Sequence, residues 1–357
     1  MPPAERALRC VRQQLELAVP LRNARQQWCS RSTLIVEIAD QNGLGSGEAA
    51  PLPGYSRDTL DEAERALLAI PRVALQRALQ LSHPSQLLQT AESLIAPELP
   101  SARFALETAL LDRLGRQRRR PVWSLLRELL PLGTEPGPVP LCVLLSGGEP
   151  AAVLGEAARH YALGVRCFKL KIGPDRLQPE QARLLARLRA ELGGQVQLRL
   201  DANQSLLRSE LAGTFELLSG FQPEFVEEPL AEARAAELAQ LPCGWALDES
   251  LQRLDASQLE ILASAPGCRA LVLKPTCLGL SRCISLAAQA SAQNKAAVVS
   301  HSFEGPLGWR ACAALAIALG PGAAAGLWPP AREDSITDLV AGGWLQPSPR
   351  PGLGADA

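Results

Sequence analysis

Six charged residues between positions 169 and 274 have the types and spacing of an active site. Lys169 and Lys171 flank a single leucine, and Asp201, Glu227, Asp248 and Lys274 then follow at intervals of 26, 21 and 26 residues. Only four of the 36 basic residues are lysine (Lys169, Lys171, Lys274 and Lys295), and three of those four fall in this set. An ammonium group among other cations and apolar walls gives up its proton readily, whereas a guanidinium does not, so lysine suits acid/base work that arginine cannot do. Three carboxylates turned into one site repel one another unless a cation neutralises them. Mg²⁺ does so with hard oxygen ligands and keeps positions open for substrate oxygens, and Mn²⁺ is a possible substitute.

Such a set needs a scaffold that delivers one residue per structural repeat. From about residue 136 to 328, short β-rich runs alternate with Ala/Leu/Arg-rich helical runs. The strands are read at "LCVLLS", "CFKLKI", "VQLRLDAN", "EFVEEP", "GWALDES", "RALVLKPT", "AAVVSHSF" and "GAAAGLW". Eight strands with helices between most of them predict an α/β fold of the parallel β/α barrel type, with active residues at the C-terminal strand ends. Strand alternation puts Lys169 and Lys171 on one face, and Arg199, Asp201 and Asn203 on one face of the next strand.

Taken singly, each feature has a plainer reading. A strand-end Asp caps turns, "EEP" suits a solvated loop, and two lysines guard an edge strand. Their order at one β/α period is the argument for a single site. Ion pairing without chemistry is the alternative that survives.

The first 135 residues mix strands and helices. "STLIVEIAD" (32–40) alternates as a half-buried strand, Asp58 is placed as the cap of a helix through "TLDEAERALLAI", and "SARFALETALLDRLGR" (101–116) reads as a helix with a Ser cap. Three parts are expected: an α+β domain at 1–135, a barrel at 136–328, and a tail at 329–357 that packs back on the first. The net charge of −1 gives no basis for binding nucleic acid or an anionic membrane surface. The nine scattered cysteines, without a C-x-x-C pair, read as reduced thiols. No stretch is long and apolar enough for a membrane span, so a cytoplasmic protein is expected.

The motifs "KLK" (169–171), "RLDAN" (199–203), "EEP" (227–229), "DES" (248–250) and "LKPT" (273–276), with "GEAAPLPGYS" (47–56), resemble the enolase superfamily and within it the o-succinylbenzoate synthase family of menaquinone biosynthesis. The resemblance implies a modified (β/α)7β TIM-type barrel and an N-terminal α+β capping domain completed by the C-terminal tail. It implies Mg²⁺ on Asp201, Glu227 and Asp248, Lys171 as the base with Lys169 as its support, and Lys274 as a cation opposite. Arg199, Asn203, Glu249, Ser300 and Ser302 are then expected either to bind a small-molecule carboxylate substrate or to stand behind the residues that do. The expected reaction is the dehydration of 2-succinyl-6-hydroxy-2,4-cyclohexadiene-1-carboxylate. N-acylamino acid racemases or dipeptide epimerases of the same superfamily are the alternative, and a non-catalytic barrel a remote one. His301 departs from the family pattern, where a small residue is expected, and is read as a histidine bonded to backbone. Arg22 or Arg25, in a loop closing over the barrel, is a further candidate for the succinyl carboxylate. Monomer and homo-oligomer are both compatible with the sequence.

Overall fold

The computed structural model describes residues 8–22, 27–41, 43–130, 135–146, 148–173, 179–329 and 334–355. Arg25 lies outside them, as does the side chain of Arg22. Three antiparallel strands open the chain: β1 (Leu8–Arg22), β2 (Gln27–Asp40) and β3 (Gly43–Ala49). The predicted strand 32–40 is the C-terminal part of β2. The sequence gives no signal for β1, because an edge strand with Arg9, Arg12, Gln13 and Gln14 exposed carries little apolar alternation.

The sheet lies on the helix Pro100–Arg118, from Pro100 to Gly115 buried on every face. Close approach explains the two glycines of β3. A Cβ on Gly47 would stand 2.1 Å from the Ala105 carbonyl oxygen, and one on Gly45 2.2 Å from that of Ala109.

Two capping expectations are corrected. Thr59, not Asp58, caps the helix Leu60–Leu68, in a reciprocal capping box with Glu62. Asp58 instead accepts from the Ser101 N–H (3.0 Å) and hydroxyl (2.6 Å), serving the first turn of the helix Pro100–Arg118, so Ser101 donates rather than caps. Residues 43 positions apart satisfied each other, a pairing that local spacing cannot reveal.

β4 (Val139–Pro140) leads into seven parallel strands: β5 (Cys142–Leu144), β6 (Cys167–Lys171), β7 (Gln197–Asp201), β8 (Phe225–Glu227), β9 (Trp245–Leu247), β10 (Cys268–Leu273) and β11 (Ala296–Val299). They lie side by side in chain order. The eighth predicted strand, "GAAAGLW", contributes two parallel bridges, Leu141 with Ala325 and Ser300 with Gly326, which link β11 back to the start of the sheet. Phe168, Leu170 and Leu198 are buried on the helix side, which leaves the alternate positions for the barrel interior. β12 (Val340–Ala341) pairs with β13 (Trp344–Leu345), which pairs in turn with β4, and Leu353 N–H donates to Asp112 of the first helical layer. Among the described residues no helix is long and apolar enough to cross a membrane.

Three buried charges of the N-terminal part grip the barrel. Glu48 accepts from the N–H groups of Gly305 (2.7 Å) and Gly308 (2.8 Å) at the start of the helix Pro306–Leu319. Glu107 accepts from the Leu280 and Ser281 N–H groups and the Ser281 hydroxyl at the start of the helix Leu280–Ala292. Arg31 donates to the carbonyls of Ala50 and Pro51 on one side and Ser302 and Phe303 on the other. Carboxylates at helix N-termini satisfy orphan N–H donors and the positive end of the helix dipole.

Glu107 thus fixes the segment that begins just after Lys274. Glu107→Ala would leave three donors without their acceptor, at a cost of about 3 kcal/mol. Urea unfolding should show that loss, with Glu107→Gln losing less.

Candidate active site

Strand register brings the charged residues together. Lys171 lies beside Asp201, and Asp201 beside Glu227, in neighbouring parallel strands. Asp248 follows one residue beyond β9, and Lys274 one beyond β10. Five of the eight non-glycine residues with positive φ among the described residues stand in the strand-end loops of this barrel: Asn203 (43°), Gln204 (63°), Glu228 (44°), Glu232 (53°) and Phe303 (61°). Backbone strain of this kind is held where the surroundings over-determine it, commonly at functional sites.

Lys169 lies one layer below Asp201, but its long side chain reaches up. Its Nζ is 2.9 Å from Asp201 Oδ2 and 3.0 and 3.2 Å from the two oxygens of Glu227. On the other wall, Lys274 Nζ donates to Asp248 Oδ2 and, at 2.6 Å, to the hydroxyl of Tyr55. Asp201, Glu227 and Asp248 are all nearly inaccessible to solvent.

The electrostatics separate the lysines. Burial pushes the Lys171 ammonium down, aided by the like charges of Lys169 and Lys274 and opposed by Asp201. Burial acts on Lys169 and Lys274 in the same direction, but Asp201 with Glu227, and Asp248 with Glu249, hold these two firmly charged. One amine is therefore disposed to be a base and two to remain cations.

The carboxylates show that the lysines do not neutralise the site. Burial and the charges of Asp201 and Asp248 push Glu227 up to about 8. Burial likewise raises Asp248 to about 6 and Glu249 to about 7, in both cases against the pull of Lys274. Burial also pushes Asp201 up, but the three lysines together hold it below its ordinary range. Among the described residues, Glu249 Oε2 is buried with no hydrogen-bond partner.

As placed, no three carboxylate, thiol or imidazole groups among the described residues converge on one point. Lys169 draws Asp201 and Glu227 onto itself, while Lys274 draws Asp248 toward Tyr55. In donor type and excess negative charge, however, the set fits a hard divalent cation.

Asn203 Nδ2 donates to Glu249 Oε1 (3.2 Å) and its N–H to Asp201 Oδ1 (3.1 Å), which places both predicted residues beside the carboxylates. The other substrate candidates have partners elsewhere. Arg199, almost fully buried, donates to Glu224 Oε2 (2.7 Å) and the Ala324 carbonyl (2.7 Å) and lies over the Phe225 ring. Its position two residues before Asp201 sets it one layer deeper, toward the N-terminal end of β8. Ser300 donates to the Gly326 carbonyl in the barrel seam, and the Ser302 hydroxyl meets Cys277 Sγ at 3.4 Å. All three side chains are thus bonded within the barrel itself.

His301 is half-buried, and its Nδ1 accepts the Phe303 N–H at 3.1 Å, the backbone bond expected of it. Burial, then Lys274 and Lys169, push it down to about 3, so the ring is neutral with its proton on Nε2.

Two residues escaped the sequence. Glu228 accepts from the Asp248 N–H (2.7 Å), the Ser250 hydroxyl and Gln204 Nε2 (3.2 Å), and so supports two carboxylate-bearing loops. Its signal was present in the doubled glutamate of "EEP". Tyr55 was present in "PLPGYS" without any local sign of its partners.

A parallel β/α barrel with carboxylates and lysines at its strand ends, capped by an α+β unit, defines a class, and comparison with known proteins gives the same one. A family described as enolase C-terminal domain-like matches residues 152–357, and one described as MenC, N-terminal domain, matches 6–113. The chain is 32% identical over 324 residues to the o-succinylbenzoate synthase of Yersinia enterocolitica, covering 88% of this chain and 86% of that one. It therefore belongs to the enolase superfamily and, within it, to the o-succinylbenzoate synthase family, and it is an enzyme. Among solved structures, MenC from Desulfotalea psychrophila superimposes with a TM-score of 0.75 at 26% identity, covering 95% and 99% of the two chains. The dipeptide epimerase of Methylococcus capsulatus, solved with Mg and the dipeptide L-Arg-D-Lys, gives 0.79 at 27% identity, covering 97% and 98%.

Proposed function

We propose that the protein is an o-succinylbenzoate synthase that removes water from 2-succinyl-6-hydroxy-2,4-cyclohexadiene-1-carboxylate to give 2-succinylbenzoate. The supporting observation is the division of labour among the lysines: Lys171 inclined to neutrality on one wall, Lys274 held charged on the other. The likeness to the Yersinia enzyme along most of the chain supports this reaction among those that such a pair can run.

Lys171, neutral, takes the proton α to the substrate carboxylate, and the C–H electrons move into the enediolate. The charge that develops there is met by the Lys274 ammonium, a fixed cation in a water-poor site. Lys169 offsets Asp201 and Glu227 and, through its own charge, keeps Lys171 from holding its proton. Protonated Lys171 then returns that proton to the departing hydroxyl on the same face. The C–O bond breaks, water leaves, and the ring becomes aromatic. Asp201, Glu227 and Asp248 would hold Mg²⁺, which as a Lewis acid lowers the cost of negative charge on the carboxylate oxygens.

Purified protein with Mg²⁺ should convert the cyclohexadiene to the aromatic product, followed by ultraviolet absorbance, and EDTA should stop the conversion until Mg²⁺ is restored in excess. No turnover with fresh substrate and Mg²⁺ would refute the reading. The likeness to the dipeptide epimerase supports a second reading, in which the two lysines act as bases on opposite faces of an α-carbon. Deuterium incorporation at Cα of dipeptides or N-succinyl amino acids, without dehydration of the cyclohexadiene, would favour it.

A further inference from the structure

The loop that follows β3 crosses from the N-terminal part to the mouth of the barrel, and it does so in a defined shape. The N–H groups of Tyr55 and Ser56 both return to the Leu52 carbonyl (3.0 and 2.9 Å), and Gly54 takes φ 74°, so 52–56 is a tight turn. Arg31 holds the entry to this turn through Ala50 and Pro51. Arg57 ties the exit to the barrel through the Gln252 carbonyl (3.0 Å), and the Ser56 hydroxyl meets Cys277 Sγ at 3.8 Å. Tyr55 stands at the centre of this docking.

The Tyr55 hydroxyl accepts from Lys274 Nζ at 2.6 Å and donates to Asp248 Oδ2 at 3.2 Å, while Lys274 also donates to Asp248. The three groups thus close a ring of hydrogen bonds. The Lys274 ammonium lies 4.8 Å from the centroid of the Tyr55 ring, within reach of a cation–π attraction. A lysine side chain has four rotatable carbons and a strong preference for water, so a buried one keeps a single position only when its donors are matched. Among the described residues, one of the two oxygens matched to Lys274 comes from the N-terminal part, 219 residues away in the chain.

We propose that Tyr55 is the positioning residue for Lys274: its phenol, delivered by the docked loop, sets the ammonium where charge develops in the substrate. Docking of the loop and assembly of the catalytic cation are then one event. This rests on Lys274 acting as that cation in the reaction above. Phenylalanine at this position would keep the ring and the packing but lose both hydrogen bonds.

The small number of lysines makes the test direct. Protein labelled with [¹³C]lysine should give four ε-methylene signals in a ¹H–¹³C spectrum, with Lys274→Arg and Lys295→Arg assigning two of them. In Tyr55→Phe, recorded with EDTA present, the Lys274 signal should move while that of Lys295 stays. Tyr55→Leu, which also removes the ring current, should move it further. In the dehydration assay Tyr55→Phe should lower kcat about 10- to 50-fold with KM within about threefold, since only the orientation of a transition-state contact is lost. An unmoved Lys274 signal overturns the proposal, as does an unchanged kcat, or a rise in KM alone, which would make Tyr55 a substrate contact. If the wild-type protein fails to dehydrate the substrate, the functional reading falls, and the EDTA spectrum still decides whether Tyr55 positions Lys274.

Discussion

Lys171→Ala should lower kcat for the dehydration by roughly 10⁴-fold and leave KM within several-fold of the wild type. Lys171→Arg should do no better, because guanidinium keeps its proton and so supplies the charge without the base. Exchange of the α-proton with solvent deuterium should disappear in both variants, which locates the loss in proton removal. Robust turnover by either would refute the assignment. A second consequence is the pH profile. The working form of Lys171 is neutral, so kcat/KM should rise with pH along a limb and level off above it. Burial and the charges of Lys169 and Lys274 push Lys171 down, so the limb should lie below 10.5, the ordinary value for lysine. Lys169→Met removes one like charge and leaves Asp201 and Glu227 less compensated, and both changes favour the ammonium. The limb should therefore move toward higher pH in that variant, whatever happens to its height.

The lysine pair shows what could be read from the sequence. Period-two alternation told which side of β6 each residue occupies, and parallel register turned intervals of about one β/α unit into neighbours at the strand ends. Both follow from backbone geometry, so Lys171, Asp201 and Glu227 share a layer as the spacing requires. Alternation is silent about where a long side chain bends. Arg199 and Lys169 occupy the same layer of adjacent strands, yet Lys169 reaches up to Asp201 while Arg199 turns to Glu224 and Ala324. The choice depends on which carboxylate or carbonyl lies within reach, and tertiary packing settles that.

Contacts between the first 135 residues and the barrel were hidden for the same reason. Glu48, Glu107 and Arg31 look like ordinary surface charges in a linear reading, since each follows the alternation of its own element. Their partners are helix N-termini and loop carbonyls up to about 270 residues away. A buried charge is tolerated only when several hydrogen bonds reach it, so these residues mark the seam where the two parts had to fit. The hydroxyls of Ser300 and Ser302 have their partners within the barrel, the Gly326 carbonyl and Cys277 Sγ, and spacing is equally silent about those.

Glu227→Gln should separate metal binding from folding in opposite directions. Burial and the charges of Asp201 and Asp248 push Glu227 up to about 8, above its ordinary 4.5, so ionising it in the folded protein costs stability. The folded state holds the extra proton across the window from about 4.5 to 8. Stability is therefore lost as pH rises through that window, and an uncharged isostere avoids the loss. Lys169 keeps Asp201 as a partner at 2.9 Å, so the substitution does not strand a buried ammonium. With EDTA at pH 8, Glu227→Gln should melt at or above the wild-type temperature, and the advantage should fade toward pH 4.5. With Mg²⁺ the order should reverse. A cation bound only by the folded state adds about 2.7 kcal/mol at a hundred times its Kd, and the variant, with one anionic ligand fewer, should bind Mg²⁺ at least about 100-fold more weakly by calorimetry. Wild-type Tm should then climb with Mg²⁺ while that of the variant stays nearly flat. A variant that melts lower in EDTA, or takes up Mg²⁺ as tightly as the wild type, would show that Glu227 serves the ion pair with Lys169 rather than the metal.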